Sequence, residues 1–170
     1  MQTIILPGYS INNKSEAEGI QDRLLTEFET VIWYWSHWET NETETGWPEI
    51  EAEKIITTLK QQPINIIAKS IGTMVTMILL KRIPYQINKI ILCGIPIADF
   101  LPGNDQYYDA LKAKPPENVL CIQNENDKHG SFISIKNFIH SINPNIKVIS
   151  KPAADHNYPY NEDFVTFLRA

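Results

Sequence analysis

One stretch limits the fold more than any other. The apolar, β-branched run Ile64-Asn65-Ile66-Ile67-Ala68-Lys69 stops at Ser70, and a second apolar run, Thr73 to Leu80, follows at once. A short run, a break and a helix-like run read as strand, tight turn and helix, with Ser70 at the apex. A serine held on such an elbow has a strained backbone, so its neighbours must be small enough to let strand and helix come very close. Ala68 and Gly72 meet that demand. A serine before a buried helix can also be a plain N-cap; the placement between strand and helix favours the elbow.

The rest of the chain repeats the alternation. Thr3 to Leu6 is a strand ended by Pro7-Gly8. Ser15 and Glu18 form a capping box, and Ala17, Ile20, Leu24 and Phe28 predict a helix over about 16 to 28. Thr30 to Trp35 is a strand, Ser36 to Gly46 a polar loop, and Pro48 opens a helix that Pro63 ends. Lys89 to Cys93, Val119 to Ile122 and Lys147 to Ser150 are strands; Ser131 caps a helix through Ile142, and Phe164, Val165 and Leu168 mark a last helix. Short strands alternating with helices predict an α/β three-layer sandwich. Its six-stranded, mostly parallel sheet carries helices on both faces in a single domain over 1–170. The irregular segment Ile95 to Asn118 follows the fourth strand. It is either a lid over the carboxyl ends of the strands, where such sheets bind ligands, or an inert connection.

Charge and cysteines narrow the function classes. A net charge of −5 with scattered lysines argues against nucleic acid or an anionic membrane as partner. Glu39, Glu42, Glu44, Glu49, Glu51 and Glu53 give one stretch an acidic bias, read as a solvated loop and helix start. Cys93 and Cys121 lack redox or zinc spacing and read as buried apolar residues. The N-terminal run, broken by Pro7-Gly8, does not resemble a signal peptide, and no segment has the length of a membrane span. The expectation is a soluble, cytoplasmic protein.

If Ser70 is a nucleophile it needs a base, and the base needs a carboxylate to fix its tautomer. In a parallel sheet these stand after later strands, in the order Ser, Asp, His. Asp127 follows the fifth strand within Asn124-Glu125-Asn126-Asp127-Lys128-His129; an Asx turn or helix cap is its plainer role, and Glu125 is a rival. His156 follows the sixth strand, on the loop before the last helix. Of the other histidines, His129 is the alternative base, His37 follows the second strand and His140 lies within a helix. Asp155, adjacent to His156, is poorly placed to orient it. The oxyanion calls for two backbone donors, the Ile71 N–H after the nucleophile and the Tyr9 N–H in the loop after the first strand.

On Ile4-Ile5-Leu6-Pro7-Gly8, Ala68-Lys69-Ser70-Ile71-Gly72, Asn124-Glu125-Asn126-Asp127 and Asp155-His156-Asn157-Tyr158, the chain resembles the α/β-hydrolase superfamily along essentially its whole length. It looks most like the small capless members grouped with retinoblastoma-binding protein 9. The resemblance implies a sheet lacking the two N-terminal strands of larger hydrolases. It also implies a triad of Ser70, Asp127 and His156 and hydrolysis of a small ester, thioester or amide, with no cofactor and no metal. Ala68 departs from the usual elbow glycine. Lys69 stands where histidine is common, either favouring an anionic substrate or being merely solvated. The alternative is a catalytically weak hydrolase-fold module that binds a protein partner, with Trp33, Trp35, Trp38, Trp47, Tyr107 and Tyr108 as surface. A metal hydrolase built on Asp127, His129 and His156 finds no HxH or HExxH pair in support.

Overall fold

Six strands, β1 (Gln2–Leu6), β2 (Thr30–Ile32), β3 (Ile64–Lys69), β4 (Ile87–Cys93), β5 (Val119–Asn124) and β6 (Lys147–Lys151), form one sheet in the order β2-β1-β3-β4-β5-β6. The computed structural model describes residues 1–59 and 61–170. All five pairings are parallel, so the sheet is wholly rather than mostly parallel. Each crossover therefore needs a covering element: α1 (Lys14–Leu24) after β1, α2 (His37–Thr40) and α3 (Trp47–Thr58) after β2, α4 (Ile71–Arg82) after β3, short helical turns between Ile97 and Asn118 after β4, and α5 (Phe132–Ile142) after β5; α6 (Asn161–Arg169) follows the last strand. Alternate strand residues serve opposite layers. Ile4, Leu6, Ile66, Ala68, Ile90 and Leu92 face the layer that contains Val75 and Leu79 of α4 and Ile55 of α3. Ile5, Ile67, Ile91, Cys93 and Ile122 face Ile20 and Leu24 of α1 and Phe164 and Leu168 of α6. Each such buried side chain contributes roughly 1.5–3 kcal/mol of transfer free energy. In α4 every residue from Gly72 to Leu80 is buried, which is why that run reads as continuously apolar rather than amphipathic.

The connections reverse direction between β1 and β3, and Leu6 pairs with Ala68 there. Ser70 thus leaves the sheet beside Pro7-Gly8, at the switch point where open α/β sheets bind ligands.

Several boundaries differ from expectation for identifiable reasons. Instead of the Ser15 capping box, Ser10 caps a short turn over Ile11–Asn13, and α1 begins directly behind it at Lys14. It ends at Leu24, while Phe28 still packs on the same layer from the following turn. β2 stops at Ile32, and the chain then turns inward so that Trp35 is fully buried. The expected polar loop contains α2. α3 ends at Thr58; the part of its expected span at Lys60 lies outside the described residues. The 95–118 segment is not a loose lid: Tyr108 and Leu111 of its longest helical turn, Asn104–Ala113, are buried against the α4 layer.

Lys69 also departs from both expectations. It is buried at 8% exposure, and its ammonium is taken up by the Glu16 carboxylate of α1 and by Asn13 Oδ1 at 2.8 Å. It neither faces solvent nor is free to meet an anionic substrate. A buried ion pair contributes little net stability but is costly to break by halves. Glu16→Gln should therefore lower unfolding stability by about 3 kcal/mol, and adding Lys69→Met should recover much of the loss, read from urea unfolding midpoints. A single variant with wild-type stability would show that the pair is not held tightly.

Candidate active site

Ser70 has φ 54° and ψ −123°, a region that non-glycine residues enter only when their surroundings force them, at a cost of roughly 1–3 kcal/mol. The surroundings are explicit. Its N–H donates to Cys93 O at 2.9 Å, and its carbonyl accepts from the Thr73 N–H at 2.9 Å and the Thr73 hydroxyl at 2.6 Å. Thr73 in turn shares a 2.5 Å hydrogen bond with the buried Tyr108 hydroxyl. Gly72 is obligatory, because a Cβ there would lie 2.3 Å from Leu6 O. Ala68 is fully buried with its methyl in the core, so alanine serves in place of glycine.

Asp127 and His156 meet directly: His156 Nδ1 lies 2.5 Å from Asp127 Oδ2. The Asp127 side chain is wholly buried and also accepts from the Tyr158 hydroxyl at 2.6 Å and from the His129 N–H at 2.9 Å. Burial would push this carboxyl up, but the bonds from His156, Tyr158 and the His129 amide, with the His156 charge, hold it below its ordinary value. Its contribution to stability is therefore present above the ordinary aspartate range and is lost as pH falls toward the lowered value. Burial and the Asp127 charge push the Tyr158 hydroxyl far up, so it remains a donor. His156 Nε2, on the other side of the ring, is buried and has no hydrogen-bond partner among the described residues. Gly94, at φ +60°, leaves the room for this pair, since a Cβ would come within 2.5 Å of the Tyr158 ring and 2.9 Å of His156 Cε1. Gly94 directly follows Cys93, whose carbonyl holds the Ser70 amide. Ser70 and His156 thus flank the end of β4.

The loop after β1 is fixed from beneath. Trp35 Nε1 donates to Gly8 O at 3.0 Å and Pro7 O at 3.2 Å, while Trp38 Nε1 and His37 Nε2 each lie 2.7 Å from Tyr9 O. With these carbonyls held, Tyr9, Ser70 and Ile71 line one cleft of about 210 Å³, open to solvent, with Trp47, Phe100 and Asp99 on its walls. Gly8 makes room not for a ligand but for the Asn13 side-chain amide, 2.8 Å from where its Cβ would be.

The five site residues expected from sequence follow the carboxyl ends of β1, β3, β5 and β6 in two groups: Asp127 and His156 are in direct contact, and Tyr9, Ser70 and Ile71 share the cleft, while no hydrogen bond joins Ser70 to His156 among the described residues. The rivals go elsewhere. Glu125 accepts from Ser150, and Asp155 caps the Asn157 amide at 2.9 Å. His140 faces Ile146 O, and His129 pairs with Asp99 at 2.5 Å, its ring 4.4 Å from that of His156. Among the described residues no group of three or more His, Cys, Asp or Glu side chains is placed to hold a metal ion. Of the aromatic residues considered as partner surface, Trp35 and Tyr108 are core, and Trp33 donates to Glu51 at 2.7 Å.

Four supporting residues lacked a reading from sequence. Tyr158 and Gly94 shape the His–Asp pair. Asn124 pins the base loop, donating to Asp155 O at 2.9 Å and Asn157 O at 3.0 Å. Asp99 enters the cleft from the irregular segment. The +x+ spacing His156-x-Tyr158 was the one available signal, because two residues on one extended loop can face the same carboxylate.

The chain has the α/β-hydrolase fold. A serine hydrolase homologue from Coxiella burnetii superposes with a TM-score of 0.74 at 16% identity, over 99% of this chain and 84% of that one. A serine hydrolase without a lid from Xanthomonas campestris gives 0.67 at 14%, over 99% and 78%. Mouse alpha/beta hydrolase domain-containing protein 10 gives 0.71 at 13%, over 99% and 87%. No protein-family model and no curated protein sequence matches the chain.

Removing the Tyr158 hydroxyl should loosen Asp127 without emptying the pocket. In Tyr158→Phe the Asp127 carboxyl should titrate at higher pH than in the wild type, because a hydrogen bond to its ionised form is lost. Carbon-detected NMR of the carboxyl signal reads this, and an unmoved midpoint would show that the tyrosine does not tune the aspartate.

Proposed function

We propose that the protein is a serine hydrolase that cleaves a small ester, thioester or amide through an acyl-enzyme. Ser70 is the nucleophile, His156 the base, Asp127 its orienting carboxylate, and the Tyr9 and Ile71 amides the oxyanion donors. One observation carries this reading. A histidine fixed through Nδ1 to a buried aspartate keeps a buried, unpartnered Nε2, and it adjoins the same end of β4 as a serine held in a strained elbow.

The chemistry follows from that arrangement. Ser70 Oγ attacks the substrate carbonyl carbon as its proton passes to His156 Nε2, and the carbonyl electrons move onto oxygen. Backbone amides at the developing oxyanion are worth about 3 kcal/mol each in such sites. Collapse of the intermediate breaks the bond to the leaving group, which departs with the proton from His156. Water then repeats the sequence on the acyl-enzyme: His156 takes its proton, its oxygen bonds to the carbon, and Ser70 Oγ leaves with that proton. Acid and alcohol, thiol or amine are released and the triad is restored. Asp127, ionised throughout, keeps the imidazole tautomer and stabilises its cation.

The substrate is read as a small acyl compound because the cleft is small, about 210 Å³. No described helix is long and apolar enough to cross a membrane, and both cysteines are buried thiols, Cys121 pushed up to about 12 by burial. A cytoplasmic setting suits such thiols.

A fluorophosphonate probe should label the protein once, at Ser70, and labelling should vanish in Ser70→Ala and fall steeply in His156→Ala. Ser70→Ala should also lower p-nitrophenyl acetate turnover by at least about a thousandfold while circular dichroism stays unchanged. An unchanged rate would overturn the proposal. Because Asp127 sits below its ordinary value, it stays ionised where imidazoles titrate. The acid limb of kcat/KM should therefore be a single-proton loss, falling about tenfold per pH unit at its foot. A flat profile from about pH 5 to 8 would remove His156 as the base.

A further inference from the structure

The Ser70 cleft has a charge character of its own. Among the described residues lining it, Asp99 is the single charged side chain, and it shares the walls with the aromatic residues Tyr9, Trp47 and Phe100. Asp99 is 57% exposed; one carboxylate oxygen faces His129 Nδ1 and the other has no partner among the described residues. The nearest lysine in sequence to the nucleophile, Lys69, is buried beneath the elbow in its pair with Glu16.

The rim has the same sign. The Tyr9 hydroxyl lies 2.5 Å from Thr43 Oγ1, so Thr43, flanked in sequence by exposed Glu42 and Glu44, touches a residue that lines the cleft. No lysine or arginine occurs between Arg23 and Lys54. The acidic stretch that sequence alone reads as a solvated loop is thus part of the approach to Ser70. A field of one sign over a recess raises the local concentration of oppositely charged ligand.

We infer that the site selects a cationic substrate, an ester, thioester or amide carrying a quaternary or protonated amine, with Asp99 as the specificity-determining residue. The inference rests on the hydrolase reading and names the substrate class of that site. Aromatic walls and an exposed carboxylate are the chemistry that retains an ammonium group; the rings stabilise it by cation–π attraction, and the carboxylate supplies the counter-charge. The hydrolysis is the one already written, with water as co-reactant.

Two matched pairs test it and locate the cation. One is p-nitrophenyl trimethylammoniobutanoate against its isostere with carbon in place of nitrogen, which puts the charge on the acyl side. The other is acetylthiocholine against its carbon isostere, which puts it on the leaving group. In one pair the cationic member should show a kcat/KM higher by about tenfold or more. The ratio should shrink with added salt and approach unity in Asp99→Asn, while Asp99→Glu retains it. Equal rates within both pairs would overturn the inference while fluorophosphonate labelling of Ser70 left the hydrolase reading standing. Should Asp99→Asn not fold, the wild-type ratios and their salt dependence decide alone. Should neither labelling nor turnover occur, the hydrolase reading falls. Choline binding against its carbon isostere, followed by tryptophan fluorescence, then decides the cation site, and equal affinity overturns it.

Discussion

One half-buried carboxylate ties the two halves of the site together. Glu16, in the first turn of α1, receives Lys69 Nζ on one oxygen and the Tyr158 N–H on the other. Lys69 directly precedes Ser70 and Tyr158 stands two after His156, so α1 ties the elbow to the loop that carries His156. The placement suits the acid, because a helix N-terminus favours negative charge. It also explains why a lysine is acceptable beside the serine. Its charge is met inside the protein, and among the described residues lining the cleft at Ser70 there is no lysine or arginine.

The strain at Ser70 persists because several independent contacts forbid relaxation. Moving its amide breaks the bond to Cys93 O; moving its carbonyl breaks the bonds from Thr73, which Tyr108 holds from the 95–118 segment. Moving α4 away from β1 opens the contact that Gly72 makes with Leu6. A segment that resembles a lid thus serves partly as a brace for the elbow. The same logic governs the oxyanion loop. Trp35, buried where β2 would have continued, trades a strand's regular ladder for two bonds that fix Pro7 and Gly8 carbonyls.

Most of this fold was legible because parallel strands buried on both faces leave continuous apolar runs, and because helices between them keep a 3.6-residue period. Ser70, Asp127 and His156 were legible for a related reason: topology puts strand ends together, so position after a strand is itself spatial information. What stayed hidden depends on contacts between segments far apart in sequence. Lys69 reads as solvated until Glu16, 53 residues earlier, is seen beside it. Gly94 looks like an ordinary turn glycine until the His156 and Tyr158 rings appear over it. The early end of β2 reflects tertiary packing of Trp35 outweighing the strand preference of Trp33 and Tyr34.

Charge placement around Ser70 poses a physical problem of its own. In the proposed hydrolysis negative charge develops on the substrate oxygen, and a nearby carboxylate opposes that development. Asp99 is such a carboxylate, and Lys69, the residue best placed in sequence to offset it, is committed to Glu16. With a neutral substrate the field of Asp99 raises the barrier. With a cationic substrate the carboxylate becomes the counter-ion of a group already present, and the cation shields the oxyanion from it. The acidic wall thus changes from a cost to a source of discrimination, and it acts against neutral and anionic competitors by the same term that favours the cation.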